Sequence, residues 1–267
     1  MSGRLLTFAT FLAPNMLPVY RFVAGYIGRR LGVRIELVVG SDLSQFERGQ
    51  VDAGFICGLP YVLLSARRPL PIELLAAPVL QGERYGGRPI YFSDVIVRRE
   101  SPFAAFADLR GRSWSYNDPG SHSGYNVTRY RLVRMGETSG FFGRVVEAGF
   151  HQRSIELVAA GEVDASAIDS QVLAIQLRER PELENRLRVI DSLGPSTIQP
   201  VVAAARLPES QKAEMRAALL EIGSDPEARA ALNWGFVERF VPVRDPDYDD
   251  IRGMLRAAEE TGFTSIR

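Results

Sequence analysis

Apolar positions along the chain alternate between two rhythms. Leu5-Leu6-Thr7-Phe8-Ala9-Thr10 reads as a buried strand, and residues 18–31 carry apolar side chains at helical spacing, with Pro18 at the start and Gly32 just past the end. Residues 33–39 return at once to strand. Strand, helix, strand within about forty residues is a βαβ unit, which predicts an α/β fold whose sheet is mostly parallel and flanked by helices. A short helix is expected over residues 41–49 and a third strand over 51–56, closed by Gly58-Leu59-Pro60-Tyr61. That spacing sets Tyr61 at the carboxyl end of a parallel strand, where open α/β sheets bind ligands.

The same grammar restarts at Tyr91. Residues 91–97 predict a strand, 106–111 a turn-helix and 113–116 a second strand. A helix over 152–160 then leads through Gly161-Glu162-Val163-Asp164-Ala165 into a strand, and this string matches Gly49-Gln50-Val51-Asp52-Ala53 in the first half. Two equivalent elements imply two similar lobes with a cleft between them. After a strand at 189–191, Leu193-Gly194-Pro195-Ser196-Thr197 leads into the apolar run 201–205 with no helix between, which predicts a crossing back to the first lobe. Helices over 208–222, 226–232 and 248–261 complete the chain, with Asp225-Pro226 and Asp245-Pro246-Asp247 as joints. The expected division is therefore 1–92 with 198–267 as one lobe and 93–197 as the other.

Composition narrows the class without naming a ligand. With 267 residues, 46% apolar and 24% charged, the chain has ample core for two lobes and the balance of a globular protein. Its formal net charge is zero and Lys212 is its only lysine, so no long-range field draws nucleic acid and any anion recognition is local. Cys57 stands alone in an apolar run, which excludes an internal disulfide and predicts a buried, inert thiol. Two histidines without carboxylates at ligand spacing argue against a metal site, and no cofactor is expected. No stretch is long enough to span a bilayer, and the first residues lack the pattern of a secretory leader. The expected compartment is extracytoplasmic if a leader has been removed, and cytoplasmic otherwise.

Candidate chemistry concentrates in Asp118-Pro119-Gly120-Ser121-His122-Ser123-Gly124, ahead of a run with helical spacing. The first-turn amides of that helix point back at the loop and, with the helix dipole, favour an anion. Glycine permits close approach, and Ser121 and Ser123 can each donate a hydroxyl to an oxyanion. The competing local reading makes one serine a helix cap. His151 likewise reads as a helix-start residue or as an anion donor, and Asp169 as a cap or as a cleft carboxylate. Arg129, Arg131 and Arg134 read as a solvated helix face, and Asp52 and Asp164 as turn formers.

Taken in order, Tyr91-Phe92-Ser93, Val95-Ile96-Val97, Asp108-Leu109-Arg110-Gly111-Arg112, the loop from Asp118 to Gly124, Gly149-Phe150-His151 and Gly161-Glu162-Val163-Asp164-Ala165 resemble the phosphonate/phosphite-type substrate-binding proteins of ABC transporters. The resemblance runs from about residue 5 to about residue 225 and implies the class II periplasmic-binding-protein fold, with a small phosphonate-, phosphite- or phosphate-like oxyanion held between the lobes. It implies Ser121, His122 and Ser123 around the ligand oxygens, with His151, Tyr91 and Tyr61 beside them and Asp169 toward the ligand's distal group. It also implies a permease partner, a monomeric binder and no catalytic residue. Neither a serine-nucleophile elbow nor a phosphate-loop lysine pattern is present. The alternative is a cytoplasmic enzyme of the same fold acting on a small carboxylate, with His151 and Asp169 as an acid/base pair.

Overall fold

β1 (Leu5–Thr10), α1 (Leu17–Leu31) and β2 (Arg34–Val39) form the βαβ unit that the apolar pattern predicts, with β1 and β2 parallel in register from Leu5 opposite Arg34. The helix stops where Gly32 adopts a left-handed φ of 64°. These coordinates come from a computed structural model that describes residues 5–266. Residues 41–49 form only a 3-10 turn over Leu43–Gln45. Asp42 accepts from the Ser44 amide at 2.9 Å and the Gln45 side chain from the Ser41 amide at 2.8 Å, so short polar side chains satisfy the backbone locally and the helix does not extend. β3 (Ala53–Phe55) then pairs with β1 in parallel, and α2 (Gly58–Ser65) and β4 (Ile72–Leu80) follow. Cys57 lies at the start of α2 and is partly exposed rather than buried.

A second unit begins at Tyr91. Its elements are β5 (Ile90–Arg98), β6 (Ser113–Tyr116), a π-helical turn His122–Asn126 running into α3 (Val127–Arg134), β7 (Arg144–Glu147), α4 (His151–Ala160), β8 (Ala165–Asp169), α5 (Ser170–Glu179) and β9 (Leu187–Thr197). The chain then supplies β10 (Val201–Ala204), α6 (Glu209–Glu221), α7 (Arg229–Trp234) and β11 (Val237–Val241) to the first unit, and ends in α8 (Asp249–Glu260). The first unit holds the described residues up to Ile90 with Thr197–Asp249; the second holds Tyr91–Ser196 with the described residues from Asp250 on.

Each unit is built on its own sheet, one with strand order β11-β4-β10-β3-β1-β2 and the other with β7-β6-β8-β5-β9. Both sheets are mixed rather than mostly parallel. β10 lies antiparallel to β3 and β4, β11 antiparallel to β4, and β5 antiparallel to β8. The reason is connectivity: β5 and β10 each follow a crossing between units without a covering helix, so the handed βαβ crossover that enforces parallel pairing is absent there.

The repeated Gly-x-Val-Asp-Ala string does the same work twice. Gly49 and Gly161 both take left-handed φ, at 70° and 75°. The carboxylate of Asp52 accepts from the Thr7 amide at 2.8 Å, and that of Asp164 accepts from the Ser113 amide at 2.8 Å. Each aspartate thus clasps a neighbouring parallel strand, β1 in one unit and β6 in the other, which is more than the local turn-forming role expected of it.

The segment after residue 250 departs from the expected division, because its apolar residues complete the second unit. Phe263 and Ile266 join a buried cluster with Trp114, Phe106, Phe141 and Phe142, in which Trp114 stacks on Phe142 at 4.7 Å. Arg129 holds this segment from α3. Its guanidinium lies over the Tyr125 and Phe263 rings and its Nε donates to the Phe263 carbonyl at 3.0 Å. Burial pulls the Arg129 pKa down, so this residue is an internal latch and not part of a solvated face. Arg131, two residues further along α3, keeps an exposed ion pair with Asp191 at 3.3 Å.

Candidate functional site

Three strand-to-helix junctions of the second unit meet at one edge of its sheet. β7, β6 and β8 are adjacent and parallel, and each is followed by a helical start: α4 after β7, the π-helical turn after β6, and α5 after β8. The amino-terminal amides of all three therefore gather at the carboxyl edge, where aligned backbone dipoles favour an anion.

The loop after β6 is shaped by its own side chains. Asp118 Oδ1 accepts from the Gly120 amide at 2.6 Å, and the Ser121 amide donates to the Asp118 carbonyl at 3.0 Å. Ser121, in extended conformation, caps the π-helical turn by accepting from the Gly124 amide at 3.2 Å. Gly124 sits so close to Asn117 that an added Cβ would fall 1.9 Å from Asn117 Oδ1, so a side chain here would force the Asn117 amide to shift. The turn sets Ser121 and Ser123 on one side, their hydroxyl oxygens 3.4 Å apart. Ser123 Oγ continues to Nε2 of His151, the first residue of α4, at 2.9 Å. Ser121, Ser123 and His151 thus form one buried chain of hydrogen bonds. Burial holds the His151 imidazole neutral, its pKa pushed down to about 4.

His122, between the two serines in sequence, turns the other way. Asn126 Nδ2 donates to its Nδ1 at 3.1 Å, and its Nε2 meets Ser196 Oγ at 2.8 Å. The ring has no exposed surface, and burial pushes its pKa down to about 3. It is an internal brace, and the spacing His122 to Asn126, one helical turn, was the signal for it. Tyr91 is buried in the same unit, its ring 6.3 Å from that of His122. Tyr61 lies in the first unit, where its hydroxyl donates to Asp245 at 2.7 Å and its ring packs on Tyr248 at 4.6 Å.

Asp169 shows the capping role. Its Oδ1 accepts from the Gln171 amide at 2.8 Å and the Val172 amide at 3.2 Å, at the start of α5. His151 Nε2 meets Ser123 Oγ instead, at 2.9 Å. Ser170 Oγ accepts from the Phe92 amide at 3.2 Å, tying the start of α5 to β5. Among the described residues no group of three His, Cys, Asp or Glu side chains could hold a metal ion, and no helix is long and apolar enough to cross a membrane.

Comparison with known proteins agrees with this architecture. The profile of the family described as ABC transporter, phosphonate, periplasmic substrate-binding protein matches residues 8–248. The phosphonates-binding periplasmic protein of Escherichia coli is 29% identical over 151 residues, which is 55% of this chain and 44% of that protein, so the match spans less than half of the relative's length. Among solved structures, a binding-protein component of an ABC phosphonate transporter from Pseudomonas aeruginosa aligns over 97% of this chain and 88% of its own, with a TM-score of 0.85 at 19% identity. PhnD1 from Prochlorococcus marinus, in complex with methylphosphonate, aligns over 96% and 98%, with a TM-score of 0.80 at 17% identity. The fold is thus the two-lobed periplasmic-binding-protein fold, and the extent of the profile match shows that the chain belongs to the family of phosphonate ABC transporter periplasmic substrate-binding proteins.

Proposed function

We propose that the edge bearing Ser121, Ser123 and His151 binds the oxygens of a small phosphonate-, phosphite- or phosphate-like anion, and that the chain delivers this ligand to an ABC-type permease as a monomeric periplasmic component. The observation that carries the reading is the convergence of two hydroxyls, one neutral imidazole and three helix starts at one sheet edge. Such a site supplies hydrogen-bond donors without a formal cation, which suits capture and release of an oxyanion. Tyr91 and Tyr61 belong to the proposed site through the family resemblance. His122 contributes through its backbone and through bracing the turn. The Asp169 carboxylate caps α5 and belongs to the set through the same resemblance.

The test is thermal-shift screening against phosphate, phosphite, methylphosphonate, 2-aminoethylphosphonate and methanesulfonate. A ligand that binds only the folded chain at a hundred times its Kd adds about 2.7 kcal/mol of stability and raises the melting point. Stabilisation by at least one phosphorus oxyanion, reduced on replacing Ser123, is expected. A response to none of them, or an equal response in the Ser123 variant, would remove the anion assignment.

A further inference from the structure

The Ser123–His151 pair can carry its hydrogens in two ways, and the choice decides what the serine offers a ligand. If Nε2 is bare, the Ser123 hydroxyl donates to the ring and presents only lone pairs to an approaching anion. If Nε2 bears the hydrogen, it donates to Ser123 Oγ at the observed 2.9 Å and the serine's own proton is released toward the ligand. The other ring nitrogen settles the matter. His151 is only 5% exposed, and its Nδ1 has no hydrogen-bond partner among the described residues. An unmet buried acceptor is commoner than an unmet buried N–H donor, so the hydrogen belongs on Nε2.

Among the described residues, burial is the one influence that moves the His151 ring from its usual titration, and it disfavours the imidazolium. α4 packs on β8 and β6, whose ionisable side chains are Asp169 and Tyr116, and Asp164 lies just ahead of β8. Asp164 is bonded to Ser113, Asp169 caps α5, and Tyr116 reaches Glu147 at 3.1 Å. The π-helical turn contributes His122, itself neutral in its buried brace. On α4, Arg153 and Glu156 pair with each other at the surface. Burial alone then governs the His151 ring, in the direction of the neutral form.

We propose that His151 is a positioning residue of the anion cradle: its neutral imidazole donates Nε2–H to Ser123 Oγ and thereby turns the Ser123 hydroxyl proton to the bound oxyanion. The proposal rests on the oxyanion reading of the site. It assigns His151 an action through Ser123 instead of a positive charge on the ligand.

The chain has two histidines, so a nitrogen-15 spectrum of labelled protein contains two imidazoles, separable with His122→Gln. In the free protein His151 should show a protonated Nε2, an unprotonated Nδ1 and no titration between about pH 5.5 and 8. An Nδ1–H tautomer, or an imidazolium in that range with or without methylphosphonate, overturns the proposal. A double-mutant cycle with methylphosphonate gives the second readout. Ser123→Ala and His151→Phe should each weaken binding about tenfold, and adding His151→Phe to Ser123→Ala should cost less than about twofold more. His151→Gln, which keeps a donor near Nε2 and guards against a folding defect, should stay within about threefold of wild type. Additive losses, or a His151→Gln loss equal to that of His151→Phe, overturn the role given to His151 alone. Absence of binding of both phosphate and methylphosphonate to wild type would overturn the functional reading itself, and the proposal with it.

Discussion

Ser121 serves two masters: its Oγ caps the π-helical turn through the Gly124 amide and also lies within reach of Ser123. Ser121→Ala should therefore lower both oxyanion affinity and stability, by about 1 to 2 kcal/mol and about 1 kcal/mol respectively. Ser123→Ala removes no cap but takes the partner from the buried His151 Nε2, so it should lower affinity by a similar amount and also cost about 1 kcal/mol or more of stability. Calorimetric titration and thermal unfolding of each variant measure the two effects separately, and an unchanged stability in Ser121→Ala would mean that the capping bond carries nothing. Asp169 gives a sharper contrast. Asn caps as well as Asp, so Asp169→Asn should leave stability nearly unchanged and Asp169→Ala should cost about 1 kcal/mol. With its Oδ1 committed to α5, Asp169→Asn is also expected to leave the affinity ratio of 2-aminoethylphosphonate to methylphosphonate unaltered; a selective loss of the amine ligand would place the carboxylate in the site.

Among elements, the two Gly-x-Val-Asp-Ala strings were legible in the sequence as equivalents, and the structure gives both the same strand-clasping bond. Asp164→Ala should destabilise by about 1 to 2 kcal/mol in denaturant unfolding, because the Ser113 amide and hydroxyl lose their acceptor at the start of β6. Replacing Asp52 should do likewise, and also frees Arg206, its partner at 2.8 Å. The cradle loop and the βαβ grammar were readable because glycine, proline and helical spacing act locally. β4 was not, since its Pro78 and the continuous apolar stretch after Glu73 give no period-two signal, and neither was β7, whose Arg-Val-Val-Glu offers only two apolar positions between charges. The inward turn of His122 depends on Ser196, far along the chain, and no local pattern carries such a contact. Arg129 was misread for the same reason: the carbonyl it holds is that of Phe263. Arg129→Met keeps the apolar stem and removes that bond, so it should cost about 1.5 to 3 kcal/mol, the scale of a hydrogen bond to a charged group.

For the whole molecule, the two buried histidines set a direction for acid sensitivity. Each has a folded pKa below the usual value of 6.5, about 3 for His122 and about 4 for His151. The unfolded chain thus binds more protons than the folded one below pH 6.5, and stability falls as pH falls. Their contribution is complete above 6.5 and is lost progressively down to the folded values, by up to about 1.4 kcal/mol per pH unit for each ring. Denaturant midpoints measured from pH 7.5 to 4.5 should decline, and His122→Gln should flatten the decline; an unchanged slope would mean that His122 is protonated in the folded state.

The seating of Phe263 and Ile266 among the aromatic residues of the second unit bears on how the protein is made. A nascent chain that has emerged as far as residue 249 already contains every strand of both sheets, yet the hollow beneath Tyr125 and Arg129 still lacks its final filling. Synthesis proceeds from the amino end, so the second unit, which bears the proposed anion-binding edge, is sealed only after the strands of the first are complete. A ribosome stalled before residue 263 would leave α3 without the carbonyl that Arg129 holds, and the aromatic cluster without Phe263 and Ile266.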